Sequence, residues 1–230
     1  MKQRALIIAV DGPSGAGKST LARELAKRFH FLWIDTGAIY RCFCLAVLRA
    51  HGGIPARREE LLSLLPNLDI RFQREETRVF LNEEDVSEAI RKPEVSLLTS
   101  ELSAWPEVRT ALLEYQRALA RAAPQGAILD GRDIGTVVFP DADIKFFVTA
   151  SPEERARRRQ KELALQGVPK TFEEVLFEQN KRDLADSRRE LAPLKQAEDA
   201  RLIDTSNQSL EQAIEGLARE VRRYMKDNVV

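Results

Sequence analysis

The chain has almost no cysteine: Cys42 and Cys44 are the only two in 230 residues. Two residues apart, they have poor geometry for a disulfide and supply half the ligands of a structural zinc site. They read instead as small core-facing residues on a helix. Histidine is as scarce. His30 and His51 fall at helix ends away from every motif, so histidine acid–base chemistry is not expected. Net charge is missing too, because 36 Lys and Arg offset 36 Asp and Glu. Without a global field to gather polyanions, no nucleic acid partner is expected. No uncharged apolar run approaches the roughly 20 residues needed to cross a bilayer, and the opening MKQRALIIAVDGP turns polar too early for a signal peptide. The expectation is a cytoplasmic monomer with no membrane association. Low-complexity tracts and flexible linkers are also absent.

What is present is a chain with 43% hydrophobic residues, enough to bury the core of one principal domain over residues 1–230 with room for a small insertion. Short apolar runs end in small or acidic residues: Leu6 to Val10, Leu32 to Asp35, Ile128 to Asp130, Ile144 to Ala150 and Leu202 to Asp204. They alternate with segments of helical period, which predicts an α/β domain with a five-stranded parallel sheet flanked by helices. Leu21, Leu25 and Phe29 share a helix face that can pack on the sheet. Ser151, Pro152 and Glu154 predict a capping box opening a helix that Gly167 ends. Thr171 with Glu174, and Ser209 with Gln212, repeat the pattern. One stretch departs from it: Leu68, Ile70 and Phe72 alternate with polar residues, and a second strand-like run covers Thr77 to Asn82. With a polar Glu75-Glu76 turn between them, residues 63–95 read as a small antiparallel β insertion.

Directly after the first strand, Gly12-Pro13-Ser14-Gly15-Ala16-Gly17-Lys18-Ser19 fits G-x-x-x-x-G-K-S/T in full and opens into a helix that continues through Thr20. The glycines let successive N–H groups converge on phosphates beside the positive end of that helix. Lys18 can then reach the β- and γ-phosphates, and Ser19 can ligate Mg²⁺. ATP or GTP with Mg²⁺ is implied, but the P-loop alone does not say what accepts the phosphate.

Two further strands end in Asp35-Thr36-Gly37-Ala38-Ile39-Tyr40-Arg41 and Asp130-Gly131-Arg132-Asp133-Ile134-Gly135-Thr136, at the carboxyl edge where open α/β sheets bind ligands. Arg41 and Arg132 suit a second, acceptor phosphate, since a guanidinium grips phosphate oxygens in a bidentate fork. Asp133, an acceptor only, suits an amino group on the substrate. Arg155 to Arg159, and then Asn180 to Arg189, place cations on two helices that can fold over a nucleotide, supply charge and exclude water. Asn180-Lys181-Arg182-Asp183 also matches the N-K-x-D guanine-reading pattern of switch GTPases. There the motif ends a buried strand, whereas Phe172 to Arg189 is capped and charged like a helix. A P-loop also serves kinases for small anions other than a nucleotide, and non-catalytic nucleotide-binding modules.

Gly12 to Ser19, Asp35 to Arg41, Asp130 to Pro140, and Arg182-Asp183 with Asp186, Arg189 and Ala192-Pro193-Leu194 together resemble the bacterial-type cytidylate kinase family over nearly the whole chain. The resemblance implies a P-loop NTPase core, a β insertion beside the monophosphate site, and a helical lid over ATP at about 151–190. It implies transfer of the γ-phosphoryl group of ATP to CMP, and to dCMP, giving CDP or dCDP and ADP. ATP binding falls to Gly12 through Thr20 and to the lid's Arg157, with Mg²⁺ on Ser19. CMP binding falls to Thr36, Tyr40, Arg41, Ser100, Arg109, Arg132, Asp133, Arg182, Asp186 and Arg189. Within that set Arg41, Arg132 and Arg189 meet the acceptor phosphate, Ser100 and Arg109 the acceptor side of the cytosine ring, and Asp133 its amine. The catalytic charges are then Lys18, Arg132 and Arg189. No general base is expected, because the attacking phosphate oxygen is already anionic.

Overall fold

The computed structural model describes residues 5–55, 57–73, 78–165 and 167–228. Its centre is a parallel sheet of five strands: β1 (Leu6–Asp11), β2 (Leu32–Asp35), β6 (Gly126–Gly131), β7 (Ile144–Thr149) and β8 (Arg201–Asp204), in the order β2-β6-β1-β7-β8. All five apolar runs read from the sequence are strands. The six residues of β1 are buried throughout, as a central parallel strand covered on both faces must be. Because side chains alternate along a strand, Ile7 and Ala9 enter one hydrophobic cluster while Leu6, Ile8 and Val10 enter another. The second cluster holds α1 (Lys18–Phe29), through Leu21 and Leu25 with Phe29 packed at its margin, and α8 (Leu210–Asn228). The first holds α2 (Thr36–His51), including the fully buried Cys42 and Cys44, together with α4 (Pro93–Leu102) and α5 (Pro106–Arg121). His30 and His51 lie exposed at the ends of α1 and α2.

A short helix α3 (Arg58–Leu62) leads to a second sheet of three antiparallel strands, β3 (Ile70–Phe72), β4 (Val79–Leu81) and β5 (Glu84–Asp85). The alternation at Leu68 to Phe72 therefore yields a strand only from Ile70, and the two-residue β5 is an addition to the expected hairpin. The Glu75-Glu76 turn and Thr77 lie outside the described residues. Ile70, Val79, Leu81 and Val86 belong to the same cluster as α2, so the insertion adds to the main core. Helices α4 and α5 fall where the apolar pattern predicts no element, although each carries proline at its start, a favoured first helical residue.

After β7 come α6 (Pro152–Leu165) and α7 (Phe172–Ser187). The caps of α7 and α8 form as expected, with reciprocal bonds between Thr171 and Glu174 and between Ser209 and Gln212. The box at Ser151 is half formed: its hydroxyl accepts from the Glu154 N–H at 3.2 Å, but its own N–H donates to Ser206 Oγ at 2.9 Å. Glu154 instead takes Arg158 at 3.1 Å. Strand order makes β1 the switch point, flanked by β6 on one side and β7 on the other, and a crevice follows at its carboxyl end.

Candidate active site

The P-loop leaves β1 at Asp11 and turns into α1 at Lys18. Gly12, at φ 144°, runs so close to β7 that a Cβ there would lie 1.9 Å from the Val148 carbonyl oxygen, so only glycine fits. Gly17, also at positive φ, precedes the helix without a side-chain cap, leaving the first-turn N–H groups for an anion. Lys18 is buried, and its Nζ donates to the Pro13 carbonyl at 2.7 Å. Burial, and then the nearby Arg132, hold its pKa well below the ordinary lysine value. The Ser19 hydroxyl donates to Asp130 Oδ2 at 2.5 Å, and the Trp33 indole donates to Oδ1 at 2.8 Å. Burial, followed by the proximity of Asp35, pushes Asp130 up to about 6. Thr20 stands half-buried on the first turn of α1.

Arginines converge on the same crevice. Arg41 pairs with Asp35 at 2.9 Å, while Asp35 also caps α2 by accepting from the Ala38 N–H. The Nε of Arg41 is buried with no hydrogen-bond partner among the described residues, a donor left over for a ligand. Arg132 and Arg189 share one buried carboxylate, Asp186, at 2.9 and 2.5 Å. Two guanidinium groups on one carboxylate leave a net positive charge. Arg182 forms no ion pair among the described residues; partial desolvation and then Arg132, with Arg41 and Arg189 beyond, lower its pKa. Lys18 in turn feels both Arg132 and Arg182. Lys18, Arg41, Arg132, Arg182 and Arg189 are thus one electrostatic cluster.

At the other end of the crevice Arg109 of α5 pairs with buried Asp133, donates to the Ser103 carbonyl at 3.2 Å, and lies 5.8 Å from the centre of the Tyr40 ring. Burial raises the pKa of Asp133 against the opposing pull of Arg109. The loop carrying Arg132 and Asp133 enters a π-helical turn at Ile134–Val138 and is pinned along its length. Asp11 accepts from the N–H groups of Ile134 and Gly135 at 2.8 and 2.7 Å, Arg117 donates to the Val137 and Val138 carbonyls, and Lys145 donates to the Pro140 carbonyl.

Two expected residues make contacts of another kind. The Thr36 hydroxyl is buried and donates to the Asp130 carbonyl at 2.7 Å, bracing β2 against β6. Ser100 is exposed on α4 and donates back to the Ser96 carbonyl. The lid arginines point in different directions. Arg157 lies over the Phe172 ring at 5.7 Å, and the arginines brought to the P-loop are its neighbours. Arg155 donates to the Ser14 carbonyl at 3.0 Å, and Arg158, bonded to Thr205, comes within 3.9 Å of where a Gly17 Cβ would stand. Asn180 to Asp183 lie on α7, not at a strand end, so the guanine-reading arrangement is not formed. Asp11, Asp130, Arg155 and Asp183 carry no signal in the sequence that assigns them a partner; only tertiary contact reveals one.

A family model described as cytidylate kinase matches residues 8–223. A protein named cytidylate kinase from Syntrophotalea carbinolica is 50% identical over 221 residues, covering 95% of this chain and 92% of that protein. One of the same name from Caldanaerobacter subterraneus subsp. tengcongensis is 48% identical over 222 residues, covering 96% of this chain and 97% of its own. Among solved structures, an uncharacterized protein from Eubacterium ventriosum superposes with a TM-score of 0.50 at 11% identity, covering 98% of this chain and 100% of that one, a likeness of fold.

Proposed function

The chain belongs to the cytidylate kinase family, and from that premise we propose that it transfers the γ-phosphoryl group of ATP to CMP and dCMP, with the crevice as its active site. The observation that carries the proposal is the sharing of Asp186 by Arg132 and Arg189 beside Arg182, which has no ion pair among the described residues, with Arg132 and Arg182 within electrostatic reach of Lys18. Such an excess of cations suits a donor triphosphate facing an acceptor monophosphate. Lys18 and the P-loop amides cradle the donor phosphates. Arg41, Arg132 and Arg189 hold the acceptor phosphate, whose anionic oxygen attacks the γ-phosphorus in line without a general base. Arg182 and Tyr40 border the acceptor's sugar and phosphate, and Asp133 accepts from the cytosine amine while Arg109 and Ser100 address the ring's acceptor edge.

A buried carboxylate facing a hydroxyl suits a hard dication, so the residues fit Mg²⁺. Ser19 and Asp130 would hold it. When bound it neutralises charge on the β- and γ-oxygens of ATP. Arg155 and Arg158, rather than Arg157, are the arginines that reach the donor loop. The chain works as one kinase unit, with 63–95 beside the acceptor and about 151–190 closing over ATP, as a cytoplasmic monomer. Its balanced charge supports free nucleotides over polyanions as substrates. An ADP-release assay with ATP and each of CMP, dCMP, UMP, AMP and GMP tests the reading. CMP and dCMP should give the fastest release, and ADP release that ignores added CMP would overturn it.

A further inference from the structure

Within the Arg182-Asp183 pair, Asp183 has no role in the proposed phosphoryl transfer. Its half-buried carboxylate meets the P-loop. The Ser14 N–H donates to Asp183 Oδ1 at 3.3 Å, the Ser14 carbonyl accepts from Arg155 Nη1 at 3.0 Å, and Arg155 pairs with Asp183. The three contacts close a ring around one P-loop residue. Arg155 is buried and tethered further, donating from Nε to the Ala150 carbonyl at 3.0 Å. Gln179, one turn earlier on α7, donates to the Arg155 carbonyl at 3.3 Å and fills the space over Gly15, where a Cβ would lie 2.6 Å from its amide nitrogen. Helices α6 and α7 are therefore locked to the donor loop at Ser14 and Gly15.

Three residues beyond Asp183 on the same helix, Asp186 holds Arg132 and Arg189. Residues three apart are neighbours on a helix surface, about 4.5 Å apart along its axis. One turn of α7 thus has one carboxylate on the donor loop and the next on the acceptor arginines. A helix turn does not stretch, so a shift imposed at Ser14 is transmitted to Asp186. We propose that Asp183 and Arg155 are a positioning pair that couples the two nucleotide sites: filling the P-loop fixes Ser14, Ser14 fixes α7, and α7 sets Arg132 and Arg189 for the acceptor phosphate. The inference rests on the proposed kinase function and adds a link between its two halves. If the pair served only to pack α6 against α7, its loss would lower stability and leave the coupling between the sites unchanged.

The test is calorimetric titration of the full chain with CMP, alone and with saturating β,γ-methylene-ATP and Mg²⁺. Wild type is compared with Asp183→Asn and Asp183→Ala, and melting temperatures and wild-type CMP turnover are recorded alongside. Asparagine keeps the shape and an acceptor for Ser14 but loses the charge pair, so it decides the matter if alanine fails to fold. In wild type the analogue should tighten CMP by a factor within the range of about 5- to 150-fold typical of coupled sites. In Asp183→Asn that factor should fall towards one while CMP affinity without the analogue stays close to wild type. By reciprocity, the effect of CMP on analogue affinity should fall equally. A factor that survives in Asp183→Asn, no coupling in wild type, or loss of both separate affinities in step with melting temperature would each overturn the proposal. Wild type that neither binds nor turns over CMP would instead defeat the proposed kinase function.

Discussion

On the proposed donor side of the crevice the ligand-facing groups are mostly backbone, presented by glycines at positive φ and by the unpaired first turn of α1. On the acceptor side they are guanidinium groups, each steered by a carboxylate: Arg41 by Asp35, Arg132 and Arg189 by Asp186, and Arg109 by Asp133. A backbone cradle recognises charge and shape common to every nucleoside triphosphate. Paired side chains can recognise one monophosphate, because each pair fixes a direction as well as a charge. In the proposed site, generality sits in the main chain and selectivity in side-chain ion pairs.

The most damaging way to break this contrast is to remove the one donor-side side chain proposed to act on the reacting phosphoryl group. Lys18→Met should lower kcat on the order of a thousandfold, the scale of a lost electrostatic contact to a transition state, with the fold retained. Steady-state kinetics beside a circular dichroism melt measure both, and an unchanged kcat removes Lys18 from the chemistry. Arg132→Ala and Arg41→Ala probe the other side. Each deletes one charge-assisted contact of roughly 1.5–3 kcal/mol, so KM for CMP should rise about 10- to 100-fold while KM for ATP barely moves. Equal effects on both substrates would erase the distinction between the sides.

Base choice sharpens the comparison further. Alanine at position 133 would strand the guanidinium of Arg109, whose partner Asp133 is, so asparagine is the cleaner replacement. Its amide can offer a donor to uracil O4 as readily as an acceptor to the cytosine amine. Asp133→Asn should lower kcat/KM for CMP by about tenfold or more and bring the CMP-to-UMP ratio towards one, on the scale of one unsatisfied polar group. Measuring both specificity constants decides it, and a preserved ratio would leave Asp133 with the loop alone. The smallest effect concerns Asp11, whose carboxyl burial raises from 3.8 to about 6. An acid raised in the fold contributes stability that is complete below about pH 4 and lost as pH climbs through about 6. The melting-temperature advantage of wild type over Asp11→Asn should therefore shrink by a few degrees across that window. An advantage that grows with pH would reverse the sign and mean that the ionised form holds the turn.

The same contrast explains how much of the molecule is legible in its sequence. The P-loop is one contiguous run, and its conformation follows from local glycine freedom and the helix behind it, so residues 12–19 are legible as a site. Arg41 and Arg132 are legible because each follows closely on the end of an apolar strand, β2 at Asp35 and β6 at Gly131. The carboxylates that pin the two loops are not, since Asp11 meets Ile134 across 123 positions and Asp183 meets Ser14 across 169. The lid register is not legible for a geometric reason. Residues three apart share a helix face while a neighbour is turned by about 100°, so Arg155 and Arg158 both look to the P-loop and Arg157 looks to Phe172. Helices α4 and α5 escape the pattern although Pro93 and Pro106 mark their starts; their apolar faces look inward to the insertion and to α2, a tertiary arrangement no local pattern announces.

The bond from the Trp33 indole to Asp130 carries a practical consequence. Asp130 is gripped through one oxygen by Ser19 and through the other by the indole N–H, at 2.5 and 2.8 Å. An indole's emission shifts with the charge and hydrogen bonding at its ring nitrogen, so an event that draws the Ser19 hydroxyl or the carboxylate towards an arriving nucleotide should change the fluorescence of Trp33. The chain has one other tryptophan, Trp105, which sits before α5 beneath the Arg58 guanidinium at 4.6 Å, so a Trp105→Phe chain would glow from Trp33 alone. Wired to the P-loop through a single carboxylate, that ring should report whether the proposed donor pocket is filled.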